Sequence, residues 1–150
     1  MTKAAMYFDD FPVGWTHVTP AREVPLEAIM AFAREWDPQP FHIDPEGAKA
    51  SPYGGIIASG FHTLILSFLM WYQTGLWAEA SMGSPGMDKV RWLKPVYPDD
   101  ALRTRLTVLE SHPSRSRPTQ GRITVRSEIL NQNDELVAEY TGIHILRRKA

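Results

Sequence analysis

Gly60 to Gln73 reads GFHTLILSFLMWYQ and is apolar nearly all round. A helix of that composition is buried on most of its faces, so other structure must form a layer around it. Ser59 in front of it is a preferred N-cap residue, and Gly54-Gly55 breaks the chain just upstream. The wider apolar stretch, Ile56 to Tyr72, also carries Ser59, His62, Thr63 and Ser67. It falls short of the ~20 clean apolar residues a membrane span needs, which favours a core helix.

The second half of the chain supplies the layer. Met87 to Leu93 alternates loosely. Ala101 to Glu110 (ALRTRLTVLE) sets Leu102, Thr104, Leu106 and Val108 on one face. Arg122 to Leu130 (RITVRSEIL) does the same with Ile123, Val125, Ser127 and Ile129, and Leu136 to Leu146 reads as a long final strand. Asn131 to Asp134 is a hairpin-turn candidate, and His112 to Gly121 a polar loop. These patterns predict an α+β chain: a curved antiparallel sheet wrapped around one central helix.

Upstream, Val24 to Trp36 places Leu26, Ile29, Met30, Phe32 and Ala33 on one helical stripe. Pro38 stops it, because a residue before proline is pushed out of the α region. Asp44-Pro45-Glu46 then has the form of a helix start, with Asp at the N-cap and Pro in the first turn.

With 150 residues, no internal repeat and no linker, residues 1–150 fit one domain that can bury its own core. The absence of cysteine excludes thiolate catalysis, disulfides and thiolate metal sites. A formal net charge of −1 gives no global pull toward nucleic acid or an anionic membrane. The opening MTKAAMYFDDF has two aspartates and no apolar run, unlike a secretory signal. A cytoplasmic location is the expectation.

The chemistry is concentrated in Trp36-Asp37-Pro38-Gln39-Pro40-Phe41-His42-Ile43-Asp44. Fully extended, Asp37 and His42 would stand about 15 Å apart. A β-turn over Gln39 to His42, with Pro40 at its favoured second position, brings the imidazole back toward the carboxylate. The pair could then hold one water between them, as general acid/base chemistry requires. The competing reading is that Asp37 only terminates the helix and His42 is an ordinary loop histidine. Gly60 is the candidate oxyanion donor: if Ser59 caps Phe61 or His62, the Gly60 N–H stays free at the positive end of the helix dipole. The bland alternative is that Gly60 merely eases packing.

The pattern Asp-x-x-Pro-x-His-x-Asp at Asp37, Pro40, His42 and Asp44 resembles the hydratase motif of MaoC-like dehydratases and (R)-specific enoyl-CoA hydratases. Gly54-Gly55-Ile56-Ile57-Ala58-Ser59-Gly60 and Arg91-Trp92-Leu93-Lys94-Pro95-Val96 are similar to that family too, so the resemblance spans nearly the whole chain. It implies a hot-dog fold, a homodimer or dimer of dimers, and a hydro-lyase adding or removing water at C2–C3 of an acyl-CoA thioester. It implies catalytic roles for Asp37 and His42, with the oxyanion donor at Gly60 and no cofactor beyond the coenzyme A of the substrate. Two positions depart from the family. Trp36 and Pro38-Gln39 replace the usual Gly and Asn around the aspartate, and Asp99-Asp100 replaces Gly-Asp after the Pro-Val segment.

Further substrate-binding candidates are Ser59, His62, Arg115 and Arg117. His62 could line an acyl pocket, although a core histidine fits its apolar setting better. Arg115 and Arg117 could bind coenzyme A phosphates, since arginine does so bidentately, or form a solvated loop. His42, Asp44 and His62 resemble part of a two-histidine, one-carboxylate metal site, but the capping role of Asp44 competes, and no metal is expected. A thioesterase of the same fold and a non-catalytic acyl-thioester binding module remain the alternative functions.

Overall fold

A computed structural model describes residues 5–149. Met1–Ala4, the first part of the opening segment, and Ala150 lie outside it. After a 3-10 turn at Phe8–Asp10 and short strands β1 (Thr16–Val18) and β2 (Arg22–Glu23), three helices follow: α1 (Leu26–Trp36), α2 (Pro40–Ile43) and α3 (Pro45–Lys49). Then come the long helix α4 (Gly60–Tyr72) and strands β3 (Gly86–Trp92), β4 (Ala101–Pro113), β5 (Gln120–Leu130) and β6 (Leu136–Arg147). The strands pair antiparallel in the order β1-β4-β5-β6-β3, with β2 also on β4.

The period-two readings give the inner face of the sheet. Leu102, Thr104, Leu106 and Val108 of β4 and Ile123, Val125, Ser127 and Ile129 of β5 are all buried. They pack under α4 in two clusters. One gathers Ile29, Ala48, Leu66, Met70, Leu102, Ile129 and Val137; the other gathers Phe8, Phe11, Trp71, Trp77, Leu106, Val125 and Leu146. The turn at Asn131 is closed by Asp134 N–H to the Asn131 carbonyl, with Asp134 itself at φ +60°. Asp99, where the family has glycine, adopts φ +69°. Aspartate is one of the few side chains that tolerates this left-handed backbone, so the departure keeps the turn.

Three features differ from the sequence expectation. β1 and β2 sit in the helical half; three- and two-residue strands are too short to carry a period. β4 extends to Pro113 through a register shift between Val108 and Glu110. And α4 is buried on one side only. His62, Thr63, Leu66, Ser67, Met70 and Trp71 face the sheet and α1, whereas Phe61, Ile65, Phe68 and Tyr72 form an exposed stripe at helical spacing. An all-apolar helix needs cover on every face, and one chain covers about half of this one. Among the described residues, no helix is long and apolar enough to cross a membrane.

Candidate active site

Asp37 follows the last turn of α1. Its backbone N–H, not its side chain, closes that helix by donating to the Ala33 carbonyl at 2.8 Å. The carboxylate is therefore free for other partners. The predicted turn is present: the His42 N–H donates to the Gln39 carbonyl at 2.9 Å, and the turn winds on into the single-turn helix α2 with Pro40 leading it. His42 is thereby brought back beside Asp37, with Nε2 3.3 Å from Asp37 Oδ2.

The segment Ile56–Ser59 clamps both groups. The Ile57 N–H donates to the Phe41 carbonyl, and the Ala58 N–H to the Val96 carbonyl. In return His42 Nδ1 lies 2.7 Å from the Ile57 carbonyl. A carbonyl only accepts, so Nδ1 carries the proton and Nε2 is the nitrogen turned toward Asp37. Ser59 Oγ donates to Asp37 Oδ2 and Gln39 Nε2 to Asp37 Oδ1, each at 2.7 Å. Burial pushes the Asp37 carboxyl up, but the Gln39 and Ser59 hydrogen bonds and the facing His42 outweigh it and hold the group below its ordinary value. Asp37 is thus ionised at neutral pH. The Asp37 carboxylate accepts, and His42 Nε2, 3.3 Å away, either donates to it or accepts with it from a water placed beside them.

The pair opens on a cavity of about 430 Å³ whose lining includes Asp37, Gln39, His42, Gly60, Trp92 and Lys94. Ser59 caps α4, its Oγ accepting from the Phe61 N–H at 3.3 Å. The Gly60 N–H has no acceptor among the described residues and sits at the head of a 13-residue helix. The absence of a side chain at Gly60 has its own cause: a Cβ there would lie 2.3 Å from Trp92 Nε1.

The remaining candidates separate. Ser59, read as substrate-binding, instead serves the carboxylate and the helix cap together. His62 does not line the cavity. It points to the other side of α4 and stacks on Phe32, rings parallel at 4.6 Å, while burial and Arg22 lower its pKa. Arg115 and Arg117 lie in the β4–β5 loop beyond Gln120, which pairs with Arg147 at the far end of β6. Val137, which lines the cavity, is ten residues back along β6, about 33 Å of strand. Within one chain neither arginine reaches the site. The cation lining the cavity is Lys94, ion-paired with Glu135. Asp44 does what its position before Pro45 suggests: its side chain accepts from the Glu46 N–H at 3.2 Å. No cluster of three His, Cys, Asp or Glu able to hold a metal occurs among the described residues. The sequence reading missed Gln39 as a carboxylate partner, although its place between two prolines, two residues from Asp37, was the signal. It also gave Trp92 no role within the Arg91–Val96 segment, because the packing against Gly60 spans 32 residues and two elements.

With this geometry in view, the comparison with known proteins is decisive. Residues 12–129 match the model of the MaoC like domain. The chain belongs to the MaoC-like dehydratase domain family. Its architecture is the hot-dog fold: the crystal structure of the MaoC-like dehydratase from Rhodospirillum rubrum superposes with a TM-score of 0.90 at 36% identity, over 97% of this chain and 99% of that one. YdeM of Bacillus subtilis (strain 168), an uncharacterized protein, is 38% identical over 89% of this chain and 94% of its own length. Mesaconyl-CoA hydratase of Cereibacter sphaeroides is 29% identical over 99% of this chain, which spans 43% of that longer protein. The MaoC-like family includes hydratases, so a hydro-lyase is the reaction class its members point to.

Proposed function

We propose that this MaoC-like protein adds water to, or removes it from, the C2–C3 bond of an acyl-CoA thioester, with Asp37 and His42 as its acid/base pair and the Gly60 N–H as oxyanion donor. The observation that carries this is the pair itself, a carboxylate and an imidazole 3.3 Å apart facing a cavity with an unused helix-terminal N–H on its wall. A clamped carboxylate and imidazole suit a water held against both. In hydration its oxygen attacks C3 of a 2-enoyl thioester and the C3–O bond forms. The C2=C3 π pair moves toward C2 and the thioester oxygen, whose developing charge the Gly60 N–H stabilises. The pair takes one proton from the water and returns one to C2, so the elements of water are added and the enzyme is regenerated. Because one pair serves both steps, the two atoms add to the same face of the double bond. The proton-giving and proton-taking roles belong to the Asp37–His42 pair as a unit.

No cofactor enters this scheme. Added chelator is expected to leave the rate unchanged, and a loss restored by one divalent metal would contradict that. The functional unit is a homodimer or a dimer of dimers, because the exposed stripe of α4, with Met87 and Trp92 of β3 alongside, leaves a contiguous apolar face of the kind that marks an interface. A soluble chain working in the cytoplasm completes the reading. The test is a panel of 2-enoyl- and 3-hydroxyacyl-CoAs followed by enoyl-thioester absorbance. Reversible interconversion supports it; release of free thiol without change of the enoyl band would favour a thioesterase instead.

A further inference from the structure

We infer that Trp92 is a positioning residue of this site: its indole, laid against Gly60, walls the Gly60 N–H off from bulk water and fixes the side from which a thioester carbonyl can reach it. This rests on the hydratase reading above. A Cβ built on Gly60 would stand 2.3 Å from Trp92 Nε1, 2.4 Å from Cε2 and 2.8 Å from Cδ1. Near-equal distances to three atoms of the five-membered ring place the glycine under the face of the indole rather than in line with its N–H. The ring is held there from two directions. Phe61, the next residue of α4, meets it edge-on with centroids 5.8 Å apart. On the strand side, Trp92 pairs with Ala138, and the Leu93 N–H donates to the Val137 carbonyl at 2.8 Å.

The consequence for chemistry follows from dielectric. A hydrogen bond to developing charge is worth far more where water is excluded, and it acts only on a carbonyl held in line with it. Asp37 and His42 sit on one wall of the cavity, and Trp92, half-exposed, lines the same cavity. A substrate thioester lying between the pair and the Gly60 N–H therefore passes against the indole. Gly60 and Trp92 act as one unit, and any side chain at position 60 evicts the ring. Gly60 is required for this packing as well as for its N–H.

Four variants test the unit: Trp92→Phe, Trp92→Ala, Gly60→Ala and the double Gly60→Ala/Trp92→Ala. The readouts are thermal midpoint, kcat and KM on a 2-enoyl-CoA, and indole emission on titration with unreactive butyryl-CoA. Trp92→Phe keeps an aromatic face and is expected within about threefold of the wild-type kcat. Trp92→Ala should lose on the order of 10- to 100-fold in kcat, the loss that ~1 Å misplacement brings, with a smaller change in KM. Gly60→Ala should lower the thermal midpoint, and the double variant should regain it without falling below Gly60→Ala in kcat, because residues acting as a unit are non-additive. Butyryl-CoA should shift the emission of the wild type and not of Trp92→Phe. Unchanged kcat in Trp92→Ala, additive losses in the double variant, or an emission change that persists without Trp92 would each overturn the inference. A wild type that hydrates no enoyl-CoA would sink the hydratase reading instead. The inference about Trp92 would then stand or fall on the midpoint and emission arms, which need no turnover.

Discussion

Asp37 carries hydrogen bonds on both carboxylate oxygens and faces His42 as well. A polar pair held only for chemistry is commonly costly, and replacing such a group is neutral or mildly stabilising. The hydrogen bonds on Asp37 give the opposite sign. An asparagine offers one acceptor oxygen where the carboxylate offers two, so either Ser59 or Gln39 loses its acceptor. Asp37→Asn is therefore expected to lower stability by about 1 kcal/mol, one net hydrogen bond, as read by thermal or urea unfolding. The pH dependence has a definite sign. Because the folded carboxyl lies below its unfolded value, its stabilisation is present above the unfolded pKa and is lost as pH falls through the folded one. Gly60→Pro would remove the N–H but would also thrust ring atoms toward the Trp92 indole, so its loss of activity would not isolate the donor. The pair was legible because two prolines and a turn lie within six residues. Ser59 and Gln39 as its partners were not, since hydrogen-bond choice depends on where Ile56–Ser59 passes.

At the scale of elements, the starts of α3 and α4 can be tested by their side-chain caps. Asp44 caps α3 through the Glu46 N–H and has no part in the proposed chemistry. Asp44→Ala should cost about 1 kcal/mol of stability, the usual worth of such a cap, while kcat of the folded protein stays near wild type. A large loss of kcat with unchanged stability would mean that Asp44 belongs to the site. The long strands and both capped helices were readable from period and punctuation, because each signal spans several residues. The short strands β1 and β2 were not, as they exist only by pairing with β4. The one-sided burial of α4 was invisible for another reason: hydrophobicity reports the need for cover and not which chain provides it.

The whole molecule must hide the stripe Phe61, Ile65, Phe68 and Tyr72. Light scattering is expected to give a dimer or a multiple of one, and a stable monomer across micromolar concentrations would contradict that. The same molecule should weaken in acid by a route independent of the site. His144 packs against Trp71 and Trp77, and burial lowers its pKa from 6.5 to about 4. The unfolded chain thus takes up this proton first, and stability should fall as pH drops from 6.5 toward 4. His144→Phe should flatten that part of the profile; an unchanged profile would show that His144 is already charged or exposed. The most direct test of the central claim is hydration of a 2-enoyl-CoA by wild type, Asp37→Asn, His42→Ala and the double variant, with the thermal midpoint taken on the same preparations. The prediction is folded proteins that lose about 100- to 10,000-fold in kcat as singles, with the double scarcely worse than the weaker single. A folded Asp37→Asn protein that hydrates the substrate at the wild-type rate would contradict it.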